Sequence, residues 1–218
     1  MFKAVIFDMD GVLIDSEPHQ LKLHEDYLKS KGIYLKPERL NLIVGGNPKL
    51  RWDSIKDAFQ GKMKREEYED DYAKYHNKDI EINYKDILNP GVVDILKWLK
   101  NESYKVALAS SSGMNKIQMV LKQCGIEEYF EAVLSGEMFN NSKPDPEIYL
   151  TMVKKLKLEP KDCLVIEDSV YGITASKAAG IYTVALEENR FGFDQSIADE
   201  KITNLLELKK ILKKDVRT

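Results

Sequence analysis

Lys3-Ala4-Val5-Ile6-Phe7, followed at once by Asp8-Met9-Asp10-Gly11, is the stretch on which the reading of this chain turns. The apolar run has no polar face, as expected of a strand buried on both sides in a parallel sheet. Ligands of open α/β sheets bind beyond the carboxyl ends of the strands. The sequence therefore delivers two carboxylates, Asp8 and Asp10, to the edge where such folds carry out chemistry. On a strand, residues i and i+2 face one side. At a strand end, with Gly11 free to bend the backbone, both acids can be aimed at one reacting atom.

Similar runs recur further along: Lys105-Val106-Ala107-Leu108-Ala109, Ala132-Val133-Leu134, Cys163-Leu164-Val165-Ile166 and Tyr182-Thr183-Val184-Ala185-Leu186. Amphipathic stretches of helical length lie between them. Val92 to Asn101 places Val92, Ile95, Leu96 and Leu99 on one face, Asn115 to Cys124 does so with Ile117, Val120 and Leu121, and Pro146 to Lys157 with Ile148, Met152, Val153 and Leu156. Strand and helix in alternation predict an α/β fold with a doubly wound, Rossmann-like parallel sheet. From Ser16 to Lys85 the pattern changes. No buried strand is evident, and the period is helical, as in Lys62 to Lys78 with Met63, Tyr68, Tyr72 and Tyr75. The charged run Lys64 to Asp71 reads as a solvated helix face, and Trp52 and Trp98 as packing residues. The expected organisation is a core of residues 1–15 and 86–218, interrupted after its first strand by a helical domain over 16–85. The two crossings would act as a hinge.

Bulk properties narrow the function. The chain has 218 residues and a net charge of −3, which gives no pull toward nucleic acid or an anionic membrane. Cys124 and Cys163 have no ligand-like spacing and read as buried thiols in a reducing compartment. No apolar stretch approaches the ~18–20 residues of a membrane span. With a strand starting at Lys3, no signal peptide is expected, and the expectation is a cytoplasmic protein.

Four strand ends carry polar groups: Asp8 and Asp10; Ser110-Ser111-Ser112-Gly113; Lys143-Pro144-Asp145-Pro146, which opens the next helix; and Glu167-Asp168-Ser169. Singly, each has a structural explanation, such as a helix cap or a surface turn. Together they bring hydroxyls, an ammonium and four carboxylates to one rim. Clustered carboxylates repel unless a cation intervenes. A hard, oxygen-liking ion such as Mg²⁺ suits them, and Lys and Ser suit phosphate oxygens. A carboxylate can also serve as a nucleophile, dividing phosphoryl transfer into two easier steps, while a second one moves protons. No Gly-x-x-x-x-Gly-Lys-Ser/Thr loop is present, so a nucleoside triphosphatase of that type is not indicated.

In order and spacing, Asp8 to Ser16, Ser110-Ser111, Lys143 to Pro146 and Glu167-Asp168-Ser169 resemble the four motifs of the haloacid dehalogenase superfamily. The chain is most similar to its β-phosphoglucomutase and sugar-phosphate phosphatase branch. The insertion resembles that family's helical cap. The resemblance implies that Asp8 is the nucleophile and Asp10 the general acid/base. It implies that Ser110, Ser111 and Lys143 bind the transferring phosphoryl group. It also implies that Asp8, Asp168 and the Asp10 carbonyl hold Mg²⁺, with Glu167 contributing indirectly. Superfamily members that cleave carbon–halogen or carbon–phosphorus bonds lack an acid two residues after the nucleophile, so Asp10 favours phosphate esters. The partner implied is a small phosphorylated metabolite, a sugar phosphate foremost, acted on by a monomer or weak dimer.

Cap residues separate phosphatase from mutase. Sugar phosphomutases carry a Gly-x-Ser-Arg-like cap turn, and Gly45-Gly46-Asn47-Pro48-Lys49-Leu50-Arg51 does not match it, although Lys49 or Arg51 could serve. Gly113-Met114 stands where mutases tend to have Lys-Asn, and His19 is offset by one from their hinge histidine. These departures favour a phosphatase. A phosphomutase is the alternative, and a non-catalytic sugar-phosphate-binding protein a third reading. Apart from that possible site role of His19, the three histidines His19, His24 and His76 read as surface positions on helices.

Overall fold

Val5 and Phe7 point to one side of the first strand, Ala4 and Ile6 to the other, and each pair belongs to a different apolar core. A strand buried on both faces must be covered by helices on both. The computed structural model, which describes residues 1–44, 48–76 and 82–215, has that architecture. Its elements are β1 (Ala4–Phe7), α1 (Glu17–Ser30), α2 (Pro37–Leu40), α3 (Pro48–Ile55), α4 (Arg65–His76), α5 (Val92–Asn101), β2 (Lys105–Ser110), α6 (Met114–Cys124), β3 (Ala132–Ser135), α7 (Glu147–Leu156), β4 (Cys163–Glu167), α8 (Val170–Ala178), β5 (Tyr182–Leu186), β6 (Glu200–Ile202) and α9 (Leu208–Asp215).

The six strands form one parallel sheet in the order β3-β2-β1-β4-β5-β6. Strand order reverses at β1, so the crevice beyond its carboxyl end is the topological switch point. On one face α5, α6 and α9 pack Ile95, Leu96, Leu99, Ile117, Leu121, Leu208 and Leu212 against Val5, Phe7, Leu108 and Ile166. On the other, α7 and α8 pack Ile148, Met152, Leu156 and Ala175 against Ala4, Ile6, Ala107 and Val165. Cys124 and Cys163 are free and buried. No helix among the described residues is long and apolar enough to cross a membrane.

The chain divides into two compact units. One comprises Met1–Asp15, Asn83–Asn189 and Phe193–Thr218, and contains the sheet. The other comprises Ser16–Ile82 with Arg190–Gly192 and holds α1 to α4. Within the sheet unit the two stretches that flank the insertion are tied together. The Asp15 amide donates to the Ile87 carbonyl and the Asn89 amide to that of Leu13, each at 2.8 Å. The Asn89 side-chain amide donates to the carbonyls of Gly11 and Val12, both at 2.9 Å.

The helical unit has its own core, formed by Tyr27, Leu28, Ile43, Trp52, Ile55, Phe59 and Tyr68. Trp52 packs on Phe59 and Tyr68, and Trp98 lies against the sheet unit's core, both as packing residues. On α4, Glu66, Glu67 and Asp70 are exposed while Tyr68 is buried, so the charged run is a solvated face with one inward aromatic. His24 corrects the surface reading of the histidines. It is 2 % exposed and stacks on Tyr72 with ring centroids 3.9 Å apart, its Nδ1 2.8 Å from the Tyr72 hydroxyl. A flat, polar-edged ring suits an aromatic cluster that supplies a hydroxyl partner. His19 is exposed on α1. The side chain of His76 and residues 45–47 of the cap turn lie outside what is described.

Candidate active site

Register brings the site together. Phe7 lies opposite Leu108 of β2 and Ile166 of β4, so Asp8 leaves the sheet level with Ala109 and Glu167. The Asp8 amide extends the ladder by donating to the Ile166 carbonyl at 3.0 Å. Lys143 reaches the same point from the segment ahead of α7. Its ammonium donates to Asp8 Oδ1 at 2.7 Å, Glu167 Oε1 at 2.6 Å and the Ala109 carbonyl at 3.0 Å. All three ammonium donors therefore have an acceptor.

Asp8, Lys143, Glu167 and Asp168 are all buried. Burial drives the Asp8 carboxyl up, to about 8, with Lys143 pulling it down and Glu167 adding to the rise. Burial also acts to lower Lys143, but the facing carboxylates of Asp8 and Glu167 outweigh it and hold the ammonium well above its usual range. Lys143 thus keeps its charge between two acids.

Glu167 is engaged through both of its oxygens. Oε1 also accepts from the Tyr149 hydroxyl at 2.7 Å, and the Tyr149 ring lies under the Lys143 ammonium, 4.8 Å from its centroid. Oε2 accepts from Ser169 Oγ at 3.1 Å and the Asp168 amide at 3.2 Å. Ser169 Oγ in turn caps α8 by accepting from the Gly172 amide at 3.0 Å. Gly172 has to be glycine, because a Cβ there would overlap the Glu167 carboxylate. Gly11, at φ +81°, stands in the same relation to the Asp168 carboxylate. Gly172→Ala is expected to displace Glu167 and with it Lys143. The loss in stability should be about 1–3 kcal/mol, the range for overpacking, measured by denaturant unfolding.

One oxygen from each of Asp8, Glu167 and Asp168 lies within 4.8 Å of the others. Three buried carboxylates with one ammonium leave an excess of negative charge in a dry place, which a hard divalent cation would offset. The set fits such an ion. Both Glu167 oxygens already accept from protein donors.

The other residues singled out in the sequence fall around this cluster. Ser110 ends β2, buried, and its Oγ accepts from the Ser112 amide at 3.1 Å. Ser111 is exposed on the same loop. Asp10 points its carboxylate at Ser112 and Lys116. His19, Lys49 and Arg51 belong to the helical unit. Lys49 is exposed and paired with Asp53 at 2.8 Å, and Arg51 is half-buried and acts electrostatically on Tyr68 and Tyr72.

Residues 5–186 match the family described as haloacid dehalogenase-like hydrolase. This chain belongs to that family. The hydrolase is 32% identical over 201 residues to a phosphorylated carbohydrates phosphatase of Thermotoga maritima, covering 91% of this chain and 88% of that one. It is 32% identical to hexitol phosphatase B of Escherichia coli, covering 94% and 93%. Its fold superposes on a β-phosphoglucomutase structure from Clostridium difficile with a TM-score of 0.82, at 26% identity over 98% of this chain and 97% of that one. These likenesses place the hydrolase among enzymes of the phosphatase and phosphomutase type.

Tyr149, Lys116 and Gln195 also border this cluster and were not evident from the sequence, whereas Ser112 was read there only as part of the serine loop after β2. The Gln195 side-chain amide donates to the carbonyls of Asp168 at 2.6 Å and Leu186 at 2.8 Å, fixing the loop that carries Asp168. Tyr149 had one signal, a hydroxyl in the otherwise aliphatic stripe of α7.

Proposed function

We propose that this chain is a magnesium-dependent phosphatase of small phosphorylated metabolites, sugar phosphates foremost, that works through an aspartyl phosphate on Asp8. The observation that carries the reading is the buried pairing of Asp8 with Lys143 at the switch point, beside Glu167 and Asp168. Asp8 Oδ attacks phosphorus, and the bond from phosphorus to the ester oxygen breaks. Asp10 gives that leaving oxygen its proton. In the second half Asp10 takes a proton from the water that attacks phosphorus, the bond to Asp8 breaks, and inorganic phosphate leaves. Lys143 holds the nucleophile and faces the charge that develops on the phosphoryl oxygens, with Ser110 and Ser111 as further donors. Asp8, Asp168 and the Asp10 carbonyl would hold Mg²⁺, with Glu167 in support. Bound there, the ion offsets charge on the phosphoryl group.

In this reading the helical unit is a cap that excludes water and selects substrate. His19, Lys49 and Arg51 are its proposed contacts. Arg51 is the best supported, since its buried Nε has no hydrogen-bond partner among the described residues and a guanidinium suits an anion. A cytoplasmic monomer or weak dimer belongs to the same reading.

A panel of sugar phosphates, assayed in parallel for free phosphate and for isomerised monophosphate, tests this. Free phosphate is the expected product. Isomerised sugar phosphate appearing faster than free phosphate would establish the mutase reading, which the likeness to a β-phosphoglucomutase structure keeps in view. Chelation should abolish turnover and added Mg²⁺ should restore it. Full activity after exhaustive chelation would remove the metal from the mechanism.

A further inference from the structure

Both oxygens of the Asp10 carboxylate are held by one neighbouring stretch of chain. Ser112 Oγ donates to Oδ2 at 2.6 Å and Lys116 Nζ to Oδ1 at 2.7 Å. The ion pair is largely shielded, with side-chain exposures of 29% for Lys116 and 16% for Asp10. The Ser112 end is rigid. Its amide donates to Ser110 Oγ at 3.1 Å, and its carbonyl accepts from Ser135 Oγ at 2.8 Å, so the loop is fixed to the ends of β2 and β3.

Lys116 is out of place by local rules. It lies in the first turn of α6, where the helix dipole disfavours a cation. The helix does not need it there, because Glu137 already accepts from the Met114 amide at 3.0 Å. A residue that breaks a local rule without serving its own helix points to a role in the site.

We propose that Ser112 and Lys116 form a two-point clamp that sets the direction of the Asp10 carboxylate, with Lys116 as a positioning residue for protonation of the leaving oxygen. The proposal rests on the phosphatase reading. Two donors on two oxygens fix the plane of the carboxylate, and so fix where its remaining lone pairs point. With Lys116 removed, Oδ1 loses the ammonium that holds it, and the carboxylate can turn about the Ser112 contact on Oδ2. Misplacement of a catalytic group by about 1 Å can cost on the order of a hundredfold.

The test compares two esters: p-nitrophenyl phosphate, whose leaving group departs without a proton, and the sugar monophosphate that the wild-type enzyme hydrolyses fastest. The quantity read is the rate of phosphoenzyme formation at saturating substrate. In Lys116→Met the sugar-to-aryl ratio of these rates should fall by about tenfold or more, part of the 10²–10⁴ a positioned general acid supplies, and Lys116→Arg should recover most of it. Ser112→Ala should shift the ratio in the same direction, which keeps the test open if Lys116→Met does not fold. Equal loss on both esters, a change in KM alone, or no recovery with arginine would overturn the clamp. A wild-type protein that forms no phosphoenzyme from either ester would instead overturn the phosphatase reading itself.

Discussion

Asp8→Asn is expected to lower phosphate release by several orders of magnitude while the protein stays folded. The amide keeps the shape of the side chain and removes the nucleophilic charge. Stability should move the other way. Asp8, Glu167 and Asp168 share a buried space with one ammonium, so removing a carboxylate relieves repulsion, and the metal-free variant should melt at or above the wild-type temperature. Calorimetry and a phosphate-release assay on one preparation read both effects. A folded variant turning over near the wild-type rate would show that Asp8 is not the nucleophile.

Lys143→Met should damage both activity and stability. Lys143 is the cation between Asp8 and Glu167, almost completely buried with both. Removing one partner of a buried pair costs about 3–5 kcal/mol, because the other charge stays buried and uncompensated. Two acids are left here rather than one. Burial already holds the Asp8 carboxyl up at about 8 against the pull of Lys143, and without that pull it would keep its proton to higher pH still. The Asp8-linked part of the deficit should therefore stay level below about pH 8 and grow as pH rises past it, where the wild-type carboxyl has lost its proton and the variant's has not. Denaturant unfolding of both proteins on either side of that pH checks the sign. A deficit independent of pH would mean that the loss is one of packing and not of charge.

The sheet was legible because its strands are written as apolar runs, each ending where its polar residues begin. β1 to β5 were readable on that basis, and β6 was not. Glu200-Lys201-Ile202 is a short edge strand with two charged residues, a way of blunting an edge that also hides it from hydrophobic pattern. The convergence of Asp8, Lys143, Glu167 and Asp168 was legible for a related reason. Parallel strands end on one side, so residues following different strands meet without any sequence proximity. Side chains that reach back from a helix leave no such trace. Tyr149 touches Glu167, and Lys116 touches Asp10 across 106 positions. Helical period says which face of α6 or α7 is buried, not which polar atom it meets. His24 was misread for the same reason, since Tyr72, which makes its burial tolerable, lies 48 residues away.

The ties between residues 11–15 and 87–89 bear on how this chain can be taken apart. Asn89 and the Asp15–Ile87 contact hold the exit and the return of the insertion side by side within the sheet unit. An excursion of roughly 70 residues that leaves and re-enters at one spot adds little closure entropy to the scaffold beneath it, because the loop ends are already neighbours. The helical segment is therefore expected to be replaceable, although Arg190–Gly192 also groups with it. Joining the two stretches with a short turn should yield a minimal scaffold, and other modules should be accepted at the same port with the strand pairing of β1 undisturbed.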